Sequence, residues 1–165
     1  MYHRFVESFE SSETGAAGRI LAIDFGLVRM GLAVSDALGI TAQGLETLQR
    51  TNKQADLRRL QQLVDDQGVA RVIVGHPLSH SGKETEMSRR AARFADELHA
   101  RIGLPVELWD ERLSSLEADR SLREAGMERR KRRQARDRVA AQIILQSYLD
   151  RRAYGRQPLG EPAGP

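Results

Sequence analysis

Three carboxylates stand where separate elements could deliver them to one place. Asp24 directly follows the apolar run Ile20-Leu-Ala-Ile23, Glu111 sits two residues beyond Trp109, and Asp137 steps back along the stripe of Ala140, Ala141, Ile144, Leu145, Tyr148 and Leu149. Hard divalent cations such as Mg²⁺ take oxygen ligands, so carboxylates converging from different elements suit such an ion. A carboxylate on a core-facing stripe is costly without a partner, because desolvation penalises its charge; a metal would supply that partner. Each residue also has a bland explanation. Asp24 could serve the turn before Gly26, Glu111 could pair with Arg112 at the surface, and Asp137 could be a favourable charge near a helix N-terminus. Taken jointly, and beside a basic segment, the three are better explained as a metal site.

That segment runs from Glu128 to Arg138, with seven basic residues against two acidic ones, in a chain whose net charge is only +3. A mildly acidic body with one dense basic stretch points to a polyanionic partner, the alternative being a solvated helix face.

The positioning elements follow from apolar periodicity. Arg19 to Asp24 and Met30 to Ser35 predict a strand hairpin, with a weaker third strand near Leu45 to Leu48. Asn52 caps a helix from Lys53 to about Asp66, which Gly68 ends. Val69 to Val74 reads as a buried strand, Glu84 to Ile102 as a helix stopped by Gly103, and Pro105 to Trp109 as a short strand. Ser114 or Ser115 would cap a helix to Glu124, and a last helix would run from Gln134 to Arg152. The expected fold is α/β: a mixed sheet, antiparallel in its first strands and parallel in its later ones, covered by helices. Right-handed crossovers then align the ends at Asp24, Val74 and Trp109 along one edge, where open α/β sheets carry their sites.

A chain of 165 residues predicts one domain, here residues 19–152, with residues 1–18 and 153–165 expected to be disordered. The absence of cysteine excludes disulfides, thiolate zinc sites and a thiol nucleophile, and favours a cytoplasmic location. No run is long enough to span a membrane, so no membrane partner is expected. His76 and His80 are four apart, but Pro77 and Gly82 argue against a shared helix face, and a zinc site is not expected. His76 could act as a proton shuttle near the edge. Asp24-Phe-Gly26 lacks the companion motifs of a kinase.

Four blocks carry a resemblance: Asp24-Phe-Gly-Leu-Val-Arg-Met-Gly31 continuing to Ser35-Asp36, Val74-Gly-His-Pro-Leu78, Asp110-Glu-Arg-Leu-Ser-Ser115, and Asp137-Arg-Val-Ala-Ala141 running into Ile144-Leu145. In order and spacing they resemble the YqgF/RuvX family, described both as Holliday junction resolvases and as pre-16S rRNA nucleases. The chain departs from that family at Val28, where Lys is usual, at His76, where Leu is common before the Pro, and at Ser79, where Asn is usual. The resemblance implies an RNase H-like fold and phosphodiester hydrolysis with one or two Mg²⁺ or Mn²⁺ ions. Asp24 would be the principal ligand, completed by Glu111 and Asp137. Arg29 and Arg112 would contact phosphates, and Arg129, Arg130, Lys131, Arg132 and Arg133 would track the nucleic-acid backbone.

The implied partner is nucleic acid, either structured RNA or branched DNA. Trimming a precursor rRNA needs one site, whereas resolving a four-way junction needs a twofold dimer, so both monomer and homodimer are open. The ribosomal substrate is preferred because nothing resembles a dimer-forming helix or a junction-reading insert. Two readings of another class fare less well. Actin-like and sugar-kinase folds also place Asp-x-Gly after a first strand but need a duplicated domain, and a non-catalytic RNA-binding factor would not need all three carboxylates.

Overall fold

The computed structural model describes residues 18–112, Gly126 and residues 129–156. The hairpin forms as its apolar alternation predicts. Strand β1 (Arg19–Asp24) runs antiparallel to β2 (Arg29–Ser35), with Asp24 opposite Gly31. The weak third strand is two short pieces, β3 (Ala42–Gly44) and β4 (Leu48–Gln49), both paired with β2. The chain leaves the ladder after Leu45, whose N–H still reaches the Leu32 carbonyl at 2.8 Å, and returns to bury Leu48 opposite Met30.

Helix α1 (Lys53–Gln67) begins where the Asn52 side chain accepts the Ala55 N–H at 2.9 Å, and it ends at Gly68, whose left-handed backbone (φ 64°) suits glycine. Strand β5 (Val69–His76) lies parallel to β1 and extends two residues beyond the expected Val74. Helix α2 (Glu86–Ile102) starts two residues later than expected because Thr85 and Ser88 cap each other reciprocally. Strand β6 (Val106–Asp110) starts after Pro105, which has no N–H for the ladder but accepts one from Val72. The sheet order is β3-β2-β1-β5-β6, with β4 beside β2. Strands β1, β5 and β6 are mutually parallel, so their C-terminal ends share one edge.

The last helix, α3 (Arg129–Arg156), corrects the expectation at both ends. It begins five residues before Gln134 because Arg and Lys are good helix formers, and it continues four residues past Arg152. Asp137 therefore lies more than two turns inside the helix. A helix dipole acts within the first turn, so the N-terminal charge explanation for Asp137 falls away. The expected helix from Ser114 or Ser115 lies outside the described residues, as do residues 1–17 and 157–165.

Each face of the sheet has its own core. Leu21, Ile23, Val72 and Val74 pack against Leu57, Leu60, Phe94 and Leu98 of α1 and α2. Ile20, Ala22, Ala33 and Ile73 pack against Ala141, Ile144, Leu145, Tyr148 and Leu149 of α3. Strand alternation sends Asp24, two residues after Ala22, toward α3, and sends Phe25 toward α1 and α2. Among the described residues no helix is long and apolar enough to cross a membrane.

Candidate active site

The edge formed by the ends of β1, β5 and β6 carries the first two carboxylates. Asp24 is the last residue of β1, and Glu111 follows the last residue of β6. The two are hydrogen-bonded to each other. Burial, reinforced by the charge of Asp137, pushes Asp24 up to about 6, although the Glu111 hydrogen bond and the charge of Arg136 pull the other way. Burial, then the charge and hydrogen bond of Asp24, push Glu111 up to about 8. Near neutral pH the pair therefore shares one proton across their hydrogen bond.

Two glycines make room for this arrangement. A Cβ on Gly75 of β5 would stand 2.6 Å from Glu111 Oε2 and 3.1 Å from Ile144 Cδ1, so only a bare backbone lets the Glu111 carboxylate lie over the sheet. A Cβ on Gly31 would run into the Asp137 carbonyl, so that glycine lets α3 approach β2 at the turn that carries Asp137. The helix is held in this position by its polar edge. Arg138 Nε donates to the Leu45 carbonyl at 3.1 Å, Gln142 to the Ala42 carbonyl at 3.1 Å and Gln146 to the Ile40 carbonyl at 3.0 Å.

Asp137 is near enough for its charge to act on Asp24, but its carboxylate is engaged by Arg29 Nε from the start of β2. Consistent with this, among the described residues no three His, Cys, Asp or Glu side chains are gathered closely enough to hold an ion together. The structure thus joins Asp24 to Glu111 and keeps Asp137 in an ion pair alongside. The donor chemistry still fits a hard divalent cation: two half-buried carboxylates sharing one proton, over a glycine cradle, with a third carboxylate in electrostatic range.

The remaining candidates fall into place around this edge. Arg112 does not pair with Glu111. Its guanidinium clasps Asp110, with Nε 3.0 Å from Oδ1 and Nη2 2.6 Å from Oδ2, on the exposed side of the edge. Lys131 is exposed in the first turn of α3; Arg129, Arg130, Arg132 and Arg133 belong to the same first turns, so the basic residues from Arg129 to Arg138 lie on one helix. His76 is opposite Asp110 in the β5–β6 register, and alternation from Val74 places it on the face away from α3. Its Nε2 is buried without a partner among the described residues, and burial lowers its pKa against the opposing charges of Glu84 and Asp110, while the ring faces away from Asp24 and Glu111. Sequence reasoning alone misses Arg136 and the clearance role of Gly75. A signal for Gly75 is present in the sequence: a glycine between a buried strand and His76, where a side chain would otherwise project toward α3.

The order antiparallel-antiparallel-parallel-parallel, with acidic residues at the shared edge and a long helix across one face, defines an RNase H-like fold. Two solved structures show the same fold at low identity. RuvC of T. thermophilus, solved with a Holliday junction substrate, superposes with a TM-score of 0.52 at 16% identity, covering 82% of this chain and 96% of that one. The Fowlpox virus resolvase, solved with Holliday junction DNA, gives 0.51 at 11% identity over 81% and 97%. Residues 18–151 match the family described as RuvX: Holliday junction resolvase, and the chain belongs to that family. A Koribacter versatilis relative named as a candidate pre-16S rRNA nuclease is 49% identical over 140 residues, 85% of this chain and 92% of that protein. One of the same name from Myxococcus xanthus is 46% identical over 132 residues, 80% and 87%.

Proposed function

We propose that this protein is a divalent-metal-dependent nuclease that hydrolyses phosphodiester bonds in structured nucleic acid, processing the 5′ end of precursor 16S rRNA during ribosome biogenesis in the cytoplasm. The observation that carries the proposal is the half-buried Asp24–Glu111 pair brought together at the sheet edge, with the charge of Asp137 acting on it. Family membership and the names of the relatives support the nucleic-acid substrate. Asp24, Glu111 and Asp137 would hold Mg²⁺ or Mn²⁺, which when bound supplies a Lewis acid and lowers the pKa of coordinated water.

The chain's own groups do the rest. Asp24 and Glu111 shed their shared proton to become a doubly charged ligand pair. Arg29 exchanges the Asp137 carboxylate for a phosphate oxygen, which frees Asp137 as the third donor and keeps both charges paired. Arg112, exposed beside the edge, offers its planar fork to a neighbouring phosphate. The basic turns of α3 hold the backbone without reading sequence.

The family's description favours a second reading, resolution of a four-way DNA junction by a twofold homodimer, whereas end-trimming needs only a monomer. Cleavage of a precursor 16S rRNA fragment and a synthetic four-way junction, run side by side with Mg²⁺, Mn²⁺ or EDTA, separates them. The proposal expects metal-dependent cutting of the RNA. Cutting of the junction alone would transfer the assignment to resolution, and EDTA-insensitive cutting would remove the metal.

A further inference from the structure

A cleft of about 200 Å³ opens on the face of the sheet opposite the carboxylates. Its inner wall is Phe25, the residue after Asp24, which packs against Phe94 with ring centroids 5.0 Å apart. Arg50 spans it: the guanidinium carbon lies 5.0 Å above the Phe25 ring, Nε donates to Asp56 at 3.0 Å and Nη1 to the Gly26 carbonyl at 3.0 Å. Three partners therefore fix this cation in a plane over an aromatic ring. Leu27 lies at the mouth and is 54% exposed, an apolar side chain left in water beside an aromatic wall.

The rim is cationic. Both acidic residues of the lining are occupied, Asp56 by Arg50 and Glu97 by Lys53 at 2.8 Å. Arg93 projects from α2, exposed, with no hydrogen bond or ion pair among the described residues. A ligand for this site needs a flat apolar body to stack on the ring and guanidinium planes, and an anionic group for Arg93. The volume of about 200 Å³ lies below the ~300–1,000 Å³ of ordinary ligand clefts, which suits one flat base rather than a base pair.

We propose that this cleft binds a single unpaired nucleotide of the nucleic-acid substrate, its base stacked against the Phe25–Arg50 wall and Leu27, and its phosphate on Arg93. This deepens the nuclease reading and rests on it. Because Phe25 directly follows Asp24, a strand seated here leaves the cleft at the end of β1, beside the edge that carries the carboxylates. Substrates with an unpaired segment at the cut site are favoured over continuous duplex, since a stacked and paired base must first be extruded.

The test is a binding titration of the full chain in EDTA with a single-stranded uridine hexamer, and with a thymidine hexamer as the DNA arm, over a range of salt concentrations. Phe25→Leu keeps the apolar volume but removes the ring, and is expected to weaken binding roughly 5- to 150-fold with the salt slope unchanged. Arg93→Gln alters an exposed side chain and is expected to lower the slope by about 0.7, one phosphate contact on a single strand. Should Phe25→Leu not fold, Arg93→Gln together with Leu27→Ser decides. A parent that does not bind either hexamer, or variants that bind with the parent's affinity and slope, overturn the cleft. Cleavage by the parent tells this apart from failure of the nuclease reading. If the hexamer needs the cleft but nothing is cut, the cleft stands and the nuclease assignment falls.

Discussion

The two faces of the sheet are built on opposite plans. Toward α1 and α2 the sheet presents bulky Leu, Ile and Val side chains to two capped helices, a core that secures the fold. Toward α3 the residues are smaller, with Ala22, Ala33 and Ala141 fully buried, and Gly31 and Gly75 bare. The backbones approach closely there, and at the end of that approach sit Asp24, Glu111 and Asp137. One face stabilises; the other gives up side-chain volume to bring carboxylates together. Charge burial is tolerated on the α3 face only because one proton and one arginine compensate it.

This contrast predicts that substitutions at the close approach on the α3 face cost activity, while those in the apolar core of the other face, away from the Phe25 cleft, cost stability. The largest effect is expected for Glu111→Gln, which keeps the volume and hydrogen bond but removes the charge of a proposed metal ligand. Its cleavage rate should fall roughly 10³-fold or more with no loss of melting temperature. Next comes Gly75→Ala. The new methyl displaces a flexible carboxylate end, so a loss of roughly 10- to 100-fold in cleavage is expected with the fold intact. The matched control is Gly68→Ala at the end of α1, where φ is 64° and a Cβ would meet nothing within 4 Å. That substitution should cost about 1 kcal/mol of stability and leave cleavage unchanged. Should Gly68→Ala impair cleavage more than Gly75→Ala, the division between the faces is wrong.

A smaller effect concerns pH. Asp24 and Glu111 have folded pKa values of about 6 and about 8 against ordinary values of 3.8 and 4.5. The folded protein therefore binds more protons than the unfolded chain between about pH 4 and pH 8, and this contribution to stability is lost as pH rises through the folded values. Metal-free protein should melt progressively lower from pH 5 to pH 8, and Glu111→Gln should flatten that trend. A melting temperature independent of pH in both proteins would mean the pair is not proton-linked.

The smallest effect belongs to the basic turns of α3. Replacing Arg130, Arg132 and Arg133 with Gln should flatten the slope of log affinity against log salt by about 0.7–0.9 for each phosphate that is no longer neutralised, alike for all sequences. Parallel lines for parent and triple variant would make the segment a solvated helix face.

Much of this architecture is legible in one dimension. The apolar runs and their punctuation by Asn52, Gly68 and Gly103 determine most element boundaries, and parallel crossovers alone bring Asp24 and Glu111 to one edge. What escapes the sequence depends on side-chain choice among distant partners. Arg29 finds Asp137 108 residues away, while Arg112 takes Asp110 rather than its immediate neighbour Glu111. Arg29 starts β2 and faces the turn of α3 that Gly31 admits, a closeness that periodicity does not encode. The early start of α3 escapes because a polyelectrolyte segment shows no apolar period, although its residues favour helix. The proton shared by Asp24 and Glu111 escapes because it requires burial of both groups, which only the packed helix supplies.

The central claim is that the proton shared by Asp24 and Glu111 occupies the place of a divalent cation. Calorimetric titration of the metal-free protein with Mn²⁺ at pH 7, in two buffers of different ionisation enthalpy, measures the protons released on binding. The account predicts close to one proton released per protein, with both the binding and the release abolished in Asp24→Asn. Mn²⁺ binding that releases no proton, or that persists unchanged in Asp24→Asn, would contradict it.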